Sequence, residues 1–373
     1  MELQTRLAFI DTSAFEEKQF QFGHYALERL ATMVEEGKIQ LLITDVVRSE
    51  VESHMKKKAE ASISHFKKFK KDACFLRVAE KTTGGGLFMD ISVEDVLHEA
   101  LGKFSTLIDN GQTEILPVSL VDPSRVFNDY FSGKPPFHRE SKKHEFPDAF
   151  SLMAVDSVAT ERKHKVYIVS KDGDMGATAE KNENFIHLNG IDDLLNLINR
   201  NDSDLSQLSE FADGVLNTLK ENVLSEAKRQ LESSEFIPCL SAEVDPEVYS
   251  IDILKIEISE LQLINVTKDK ATYDIIFKVD LNAIYTITDL THATWDREDR
   301  TYYGIEEGKY KYHHEERYNA SLELGFDDGI KANAEIIQLV FDGAYFEIDI
   351  DEAIALGEVF DNYSHTPQEP EQF

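Results

Sequence analysis

Residues 7–13 read LAFIDTS, four apolar positions running straight into an aspartate, and residues 166–172, VYIVSKD, set another aspartate two residues beyond a second such run. Short apolar runs bounded by polar turn residues suit strands buried on both faces, as in a parallel sheet covered by helices. Working outward, Ile39 to Ile43 and Phe185 to Leu188 read as further strands, and Tyr25 to Val34 has helical spacing closed by Gly37. Thr44 is placed to cap a long helix carrying Val46, Val47, Glu50, Val51 and His54, and Pro147 suits a first helical turn, which puts Asp148 at a helix N-terminus. Strands alternating with helices over the first 200 residues predict an α/β domain with a mostly parallel sheet. Between them, about residues 56–145 read as an insertion that shapes a cleft, with a Gly84–Gly86 loop and a helix from about Val93 to Asp109.

The pattern changes twice further on. Residues 201–236 carry a continuous stripe, Leu205, Leu208, Phe211, Val215, Leu219, Val223, Ala227 and Leu231, expected of a helical connector. From 237 to 360, stretches such as ATYDIIFKVDLNAIYTI alternate apolar with polar residues, predicting a second, antiparallel β-rich domain. Residues 361–373 are expected to be disordered. A chain of 373 residues exceeds what one core usually organises, so about two domains agree with its length.

No run of about 18 apolar residues spans a bilayer, and no secretory leader is visible in MELQTRLAFIDTS, so a cytoplasmic protein without membrane association is expected. Cys74 and Cys239 lack metal or disulfide spacing and read as buried or half-buried thiols. The net charge of −31 is uneven: from Phe236 onward 30 acidic residues face 10 basic ones, net −20, leaving 40 against 29, net −11, before it. Evenly spread, that charge would repel a polyanion. Basic residues cluster in the N-terminal part, at Lys56, Lys57, Lys58, Lys67, Lys68, Lys70 and Lys71 and again at Arg139, Lys142, Lys143 and His144. Such clusters serve either as a solvated helix face or as an anion-binding face.

Four acids stand where the sheet would gather them: Asp11 and Asp172 just after strands, Glu50 and Asp148 near helix starts. The carboxyl ends of parallel strands face one crevice. Several carboxylates brought together repel one another, which makes a divalent cation their natural partner. Mg²⁺ prefers oxygen ligands and suits phosphodiester hydrolysis by an activated water. Asp174, Thr12, Ser13 and Ser170 are placed to add a ligand or orient water. Taken singly, each acid is equally well a turn residue or helix cap.

FIDTS, ITDVVRSEV, FPDAFSL and VSKDGDM resemble the four acidic motifs of PIN-domain nucleases over about residues 1–200. PPF followed by KKHEFPDAFSLMA is similar to a bacterial PIN-like subfamily with a long insertion and a C-terminal extension. The resemblance implies a PIN-like fold and a Mg²⁺- or Mn²⁺-dependent endonuclease acting on RNA, less readily on single-stranded DNA, often as a toxin or defence effector. It assigns Asp11, Glu50, Asp148 and Asp172 to catalysis and metal binding, with Asp174 as an auxiliary ligand, and products bearing 5′-phosphate and 3′-hydroxyl. Lys56, Lys57, Lys67, Lys68, Lys142 and Lys143 are then the candidates for gripping phosphates. Tyr130, Phe131 and Phe137 either stack a base or pack a core.

PIN relatives often pair, so a homodimer is expected, and the acidic C-terminal domain is expected to regulate the enzyme or recruit a protein. The alternative reading is a non-catalytic nucleic-acid or protein binding module whose β domain docks a partner. His313-His314 is set aside as a metal site because adjacent strand residues point to opposite faces.

Overall fold

Leu7–Ile10 (β1) and Val166–Val169 (β4 in the order below) are buried at every position, as suits central strands of a parallel sheet covered on both faces. The computed structural model describes residues 1–75, 90–137, 145–240, 246–289, 294–296, 301–303, 306–327, 330–343 and 345–359. The Gly84–Gly86 loop, Arg139, Lys142, Lys143, His144 and the 361–373 tail lie outside them. The chain divides into two units, Met1–Ser209 with Leu263–Val266, and Glu210–Gln262 with Thr267–Phe373.

In the first unit β1 is followed by α1 (Thr12–Glu17), α2 (Tyr25–Glu35), β2 (Gln40–Thr44), α3 (Asp45–Asp72), α4 (Val93–Ile108), β3 (Thr113–Leu116), α5 (Pro123–Phe131) and α6 (Phe146–Arg162). Then come β4 (Val166–Val169), α7 (Gly173–Ala179), β5 (Phe185–Leu188) and α8 (Ile191–Asn201). The five strands are parallel in the order β3-β2-β1-β4-β5. Phe9 pairs with Leu42 on one side and Ile168 on the other, and all three are fully buried. Each such side chain contributes about 1.5–3 kcal/mol. The chain moves outward from β1 in one direction and returns through β4 in the other, so the strand order reverses between β1 and β4. In open α/β sheets that reversal, at the carboxyl ends, is where a ligand crevice opens.

The segment read as an insertion supplies part of this sheet. Strand β3 pairs with β2 from Leu41↔Thr113 to Thr44↔Leu116, and only its last residue is buried. A polar edge strand gives no apolar run, so its sequence did not announce it. The cysteines also differ from expectation: Cys74 and Cys239 are both exposed, Cys74 just beyond the C-cap of α3 and Cys239 at a strand end.

In the second unit α9 (Ser206–Glu232), which enters it from Glu210 onward, is followed by β6 (Phe236–Cys239), β7 (Glu247–Val266), β8 (Lys270–Asp289), β9 (Thr294–Asp296), β10 (Thr301–Tyr303), β11 (Glu306–Asp327), β12 (Ile330–Phe341), β13 (Phe346–Asp349) and β14 (Ile354–Glu358). The main sheet runs β12-β11-β8-β7, with β14 also paired to β11. Antiparallel pairing of β8 with β11 is continuous from Asp289↔Glu306 to Lys270↔Gly325. Alternate residues of β8, from Tyr273 to Tyr285, are buried while those between are half-buried. Helix α9 meets this sheet: the Tyr273 hydroxyl donates to Asp213 at 3.0 Å, and the Gln230 amide donates to the Leu339 carbonyl at 3.0 Å. His313 and His314 do part to opposite faces, His313 toward Asn282 and the buried His314 toward the Tyr285 hydroxyl at 2.8 Å. No helix among the described residues is long and apolar enough to cross a membrane.

Candidate active site

Asp11 follows β1 directly, and its N–H completes the sheet by donating to the Val169 carbonyl at 2.9 Å. The residue is 5% exposed. Its Oδ2 accepts the Ser13 N–H at 3.2 Å, the Ser170 hydroxyl at 3.0 Å and, in a closer contact, the Ser13 hydroxyl. Ser13 Oγ accepts the Lys171 N–H at 3.1 Å, and Ser170 Oγ accepts the Asp172 N–H at 3.0 Å. This knot ties the end of β1 to the end of β4. No donor among the described residues is bonded to Asp11 Oδ1.

Glu50 lies in the second turn of α3, and its position follows from how that helix starts. Thr44 ends β2, and its hydroxyl caps α3 by accepting the Val47 N–H at 3.1 Å. The same hydroxyl lies 2.9 Å from Ser151 Oγ on α6, pinning the two helices together. Half-buried Glu50 then accepts the Thr12 hydroxyl at 2.9 Å, next to Asp11 in the chain.

Asp148 is the third residue of α6, with Pro147 before it. Its carboxyl is pushed up to about 9, first by burial, then by a hydrogen bond with Glu145 and by the charges of Asp11, Glu145 and Glu50. A helix N-terminus favours an anion by about 0.3–1 kcal/mol, less than one pKa unit, so desolvation and like charge win here. Glu145 is absent from the acids picked out in the sequence. Its spacing of three residues from Asp148 across a helix start, which sets both on one face, was the available signal.

Asp172 sits at the same end of the sheet but turns its carboxylate into its own helix. It caps α7, with Oδ1 accepting the Asp174 N–H at 2.7 Å and the Met175 N–H at 3.0 Å. Asp174 is half-buried in the first turn of α7, and its carbonyl accepts the Thr178 hydroxyl at 2.7 Å. The fold therefore brings Asp11, Glu50, Asp148 and Glu145 into one electrostatic cluster, and joins Asp172 to it through Ser170. Among the described residues no three of these carboxylates converge as a ready-made cage. Each is held by a partner of its own: Glu50 by Thr12, Asp148 by Glu145, and Asp172 by the N–H groups of α7. The donor set fits a hard divalent cation, being wholly carboxylate and hydroxyl oxygen, with Asp11 Oδ1 open and a proton held where positive charge is wanted.

Lys56, Lys57, Lys67 and Lys68 are exposed along α3 and have no ion-pair partner among the described residues, whereas Lys70 pairs with Asp90 at 2.9 Å. Of the aromatic candidates Phe137 is buried, a packing residue, while Tyr130 is half-buried and Phe131 is 79% exposed. A pocket of about 580 Å³ flanks α6, lined by Arg125, Asp129, Pro136, Ala149, Asp156 and Asn184 among others, and none of the clustered acids lines it.

A comparison with curated proteins and one with solved structures each found no match. A comparison with protein families matched residues 8–175 to the family model described as a PIN domain. PIN domains are generally metal-dependent nucleases. The matched segment runs from the second residue of β1 to the first turn of α7 and contains all five acids named from the sequence, so it is residues 8–175 that are similar to a PIN domain.

Proposed function

We propose that the protein is an endonuclease that hydrolyses phosphodiester bonds with Mg²⁺ or Mn²⁺, and that RNA is its substrate. What supports this reading is the family match over residues 8–175 together with the gathering of Asp11, Glu50, Asp148 and Glu145, where burial and the neighbouring carboxylates push the Asp148 carboxyl up to about 9. A cluster that holds a proton at neutral pH for want of positive charge is poised to exchange it for a cation. Asp11, Glu50 and Asp148 are the residues proposed to hold the metal, with Glu145 as a fourth donor, and Asp172 and Asp174 on the far side of Ser170. When bound, a divalent ion neutralises charge on the phosphoryl oxygens and supplies a nucleophilic water at neutral pH.

The chain's own residues have separate tasks. Ser13 and Ser170 hold the Asp11 carboxylate through Oδ2, leaving Oδ1 without a bonded donor among the described residues, and Thr12 holds Glu50. Asp148 would give up its proton were a divalent ion bound. Lys56, Lys57, Lys67 and Lys68 hold backbone phosphates away from the acids, and Lys142 and Lys143, just before Glu145, are proposed for the phosphate nearest to them. The second unit, with most of the negative charge, is proposed to regulate a toxin or defence effector or to recruit a protein that does; a homodimer is part of the same proposal.

A second reading, a nucleic-acid or protein binding module without cleavage, is favoured by one observation, the engagement of Asp172 Oδ1 in its helix cap. RNA and single-stranded DNA incubated in Mg²⁺ or Mn²⁺ with wild type, Asp11→Asn and Asp148→Asn separate the two. Cleavage by wild type alone supports the nuclease; identical behaviour of all three proteins leaves only the binding module.

A further inference from the structure

We infer that His187 of β5 is a positioning residue for the acid cluster, acting through the peptide that joins Ser170 to Lys171. The inference rests on the nuclease reading above and adds to it a side chain that lies beyond the matched residues 8–175. His187 stands opposite Ile168 in the β4–β5 register, and its Nε2 lies 3.1 Å from the Ser170 carbonyl. A carbonyl only accepts, so Nε2 carries the hydrogen and donates. The N–H of the same peptide, that of Lys171, donates to Ser13 Oγ at 3.1 Å. One peptide plane is thus held at both edges, by β5 on one side and by the start of α1 on the other.

That plane sets the groups on either side of it in the chain. Ser170, fully buried, donates its hydroxyl to Asp11 Oδ2 at 3.0 Å and accepts the Asp172 N–H at 3.0 Å. Rotation of the peptide would pull the hydroxyl away from Asp11 and swing Asp172 off the start of α7. The fold also makes room for the imidazole. Gly176 is the middle residue of α7, where glycine weakens a helix relative to alanine. A Cβ there would lie 2.7 Å from His187 Cε1 and 2.9 Å from Nε2, closer than side chains pack. The glycine lets the helix backbone pass against the ring, and the helix in turn confines the ring to the carbonyl it serves.

The test uses the full chain. In metal-free protein with ¹⁵N-labelled histidine at neutral pH, the signal lost in His187→Gln belongs to His187 and is expected to show the proton on Nε2. Mn²⁺ affinity by calorimetry is expected to fall about tenfold in His187→Phe, which keeps a ring without a donor, and in Gly176→Ala, which displaces the ring. His187→Gln, whose amide N–H can reach the same carbonyl, should recover most of that loss. Ile168→Val, which thins the core beside His187 and removes no hydrogen bond, should bind as wild type. A proton on Nδ1 with none on Nε2 overturns the role, and so does wild-type affinity in His187→Phe or an affinity in His187→Gln as weak as in His187→Phe. An equal loss in Ile168→Val overturns it too, because any weakening of the sheet would then act alike. If His187→Phe does not fold, Gly176→Ala takes its place in each comparison. RNA cleavage by wild type in Mn²⁺ is followed in parallel. Mn²⁺ affinity that depends on His187 without cleavage removes the nuclease reading and keeps the positioning role. Cleavage with an affinity indifferent to His187 removes the role alone, and a wild type that binds no Mn²⁺ removes both.

Discussion

Exchanging Asp148 for Asn should alter how the metal-free protein responds to pH. In an unfolded chain an aspartate ionises near 4, whereas in the fold this carboxyl is pushed up to about 9. Between those values the folded state holds one more proton here than the unfolded state, so stability falls as pH rises, by about 1.4 kcal/mol per unit. Below the unfolded value both states are protonated and the penalty vanishes; above the folded value both are ionised and the slope flattens. From pH 5.5 to 7.5 wild type therefore loses about 3 kcal/mol that Asp148→Asn keeps, roughly a hundredfold in the opening equilibrium. Amide exchange of peptides from β1 and α6, with both proteins compared at each pH so that intrinsic rates cancel, reads this difference within the first unit. Saturating Mn²⁺ should reduce the wild-type slope, with close to one proton released per binding event in calorimetry near neutral pH. Parallel wild-type and Asn profiles across the window would refute the clustering argument.

Three further outcomes follow from particular contacts. Thr44→Val removes a buried cap and strands the Ser151 hydroxyl, and should cost about 1–3 kcal/mol in thermal or urea unfolding of the first unit. Ser170→Ala takes away the hydroxyl that orients Asp11 and accepts the Asp172 N–H, so Mn²⁺ affinity by calorimetry should fall at least tenfold, and stranding the Asp172 N–H should cost about 1–3 kcal/mol in unfolding. Tyr273→Phe breaks the bond to Asp213 and should lower protection of α9 by about 1 kcal/mol in hydrogen exchange while leaving β1 unaffected.

The parts of the fold legible from the chain are those where one physical signal dominates. Strands β1, β2, β4 and β5 are short apolar runs ended by polar residues, and Thr44 and Pro147 carry cap chemistry readable in place. Strand β3 was hidden because an edge strand needs one apolar face at most, and Thr113, Glu114 and Ile115 leave even that incomplete. At the site, gathering Asp11, Glu50 and Asp148 followed from topology alone. Two details did not. Glu145 joins the cluster through a side-chain hydrogen bond with Asp148, and the Asp172 carboxylate is engaged by N–H groups of a helix of seven residues. Such local hydrogen bonds depend on backbone angles that residue spacing does not encode. The exposure of Phe131, as opposed to Phe137, likewise depends on which side of α5 meets Phe146.

The uninterrupted passage from β2 into α3 makes a measuring rod. With no loop after Thr44, the helix leaves the sheet as one rigid element 28 residues long. At about 1.5 Å per residue, Lys56 lies roughly 9 Å along the axis from Glu50, and Lys71 roughly 30 Å. An oligomer of two or three nucleotides reaches only the nearer lysines, so affinity should climb in steps with strand length and level off once the far end is spanned.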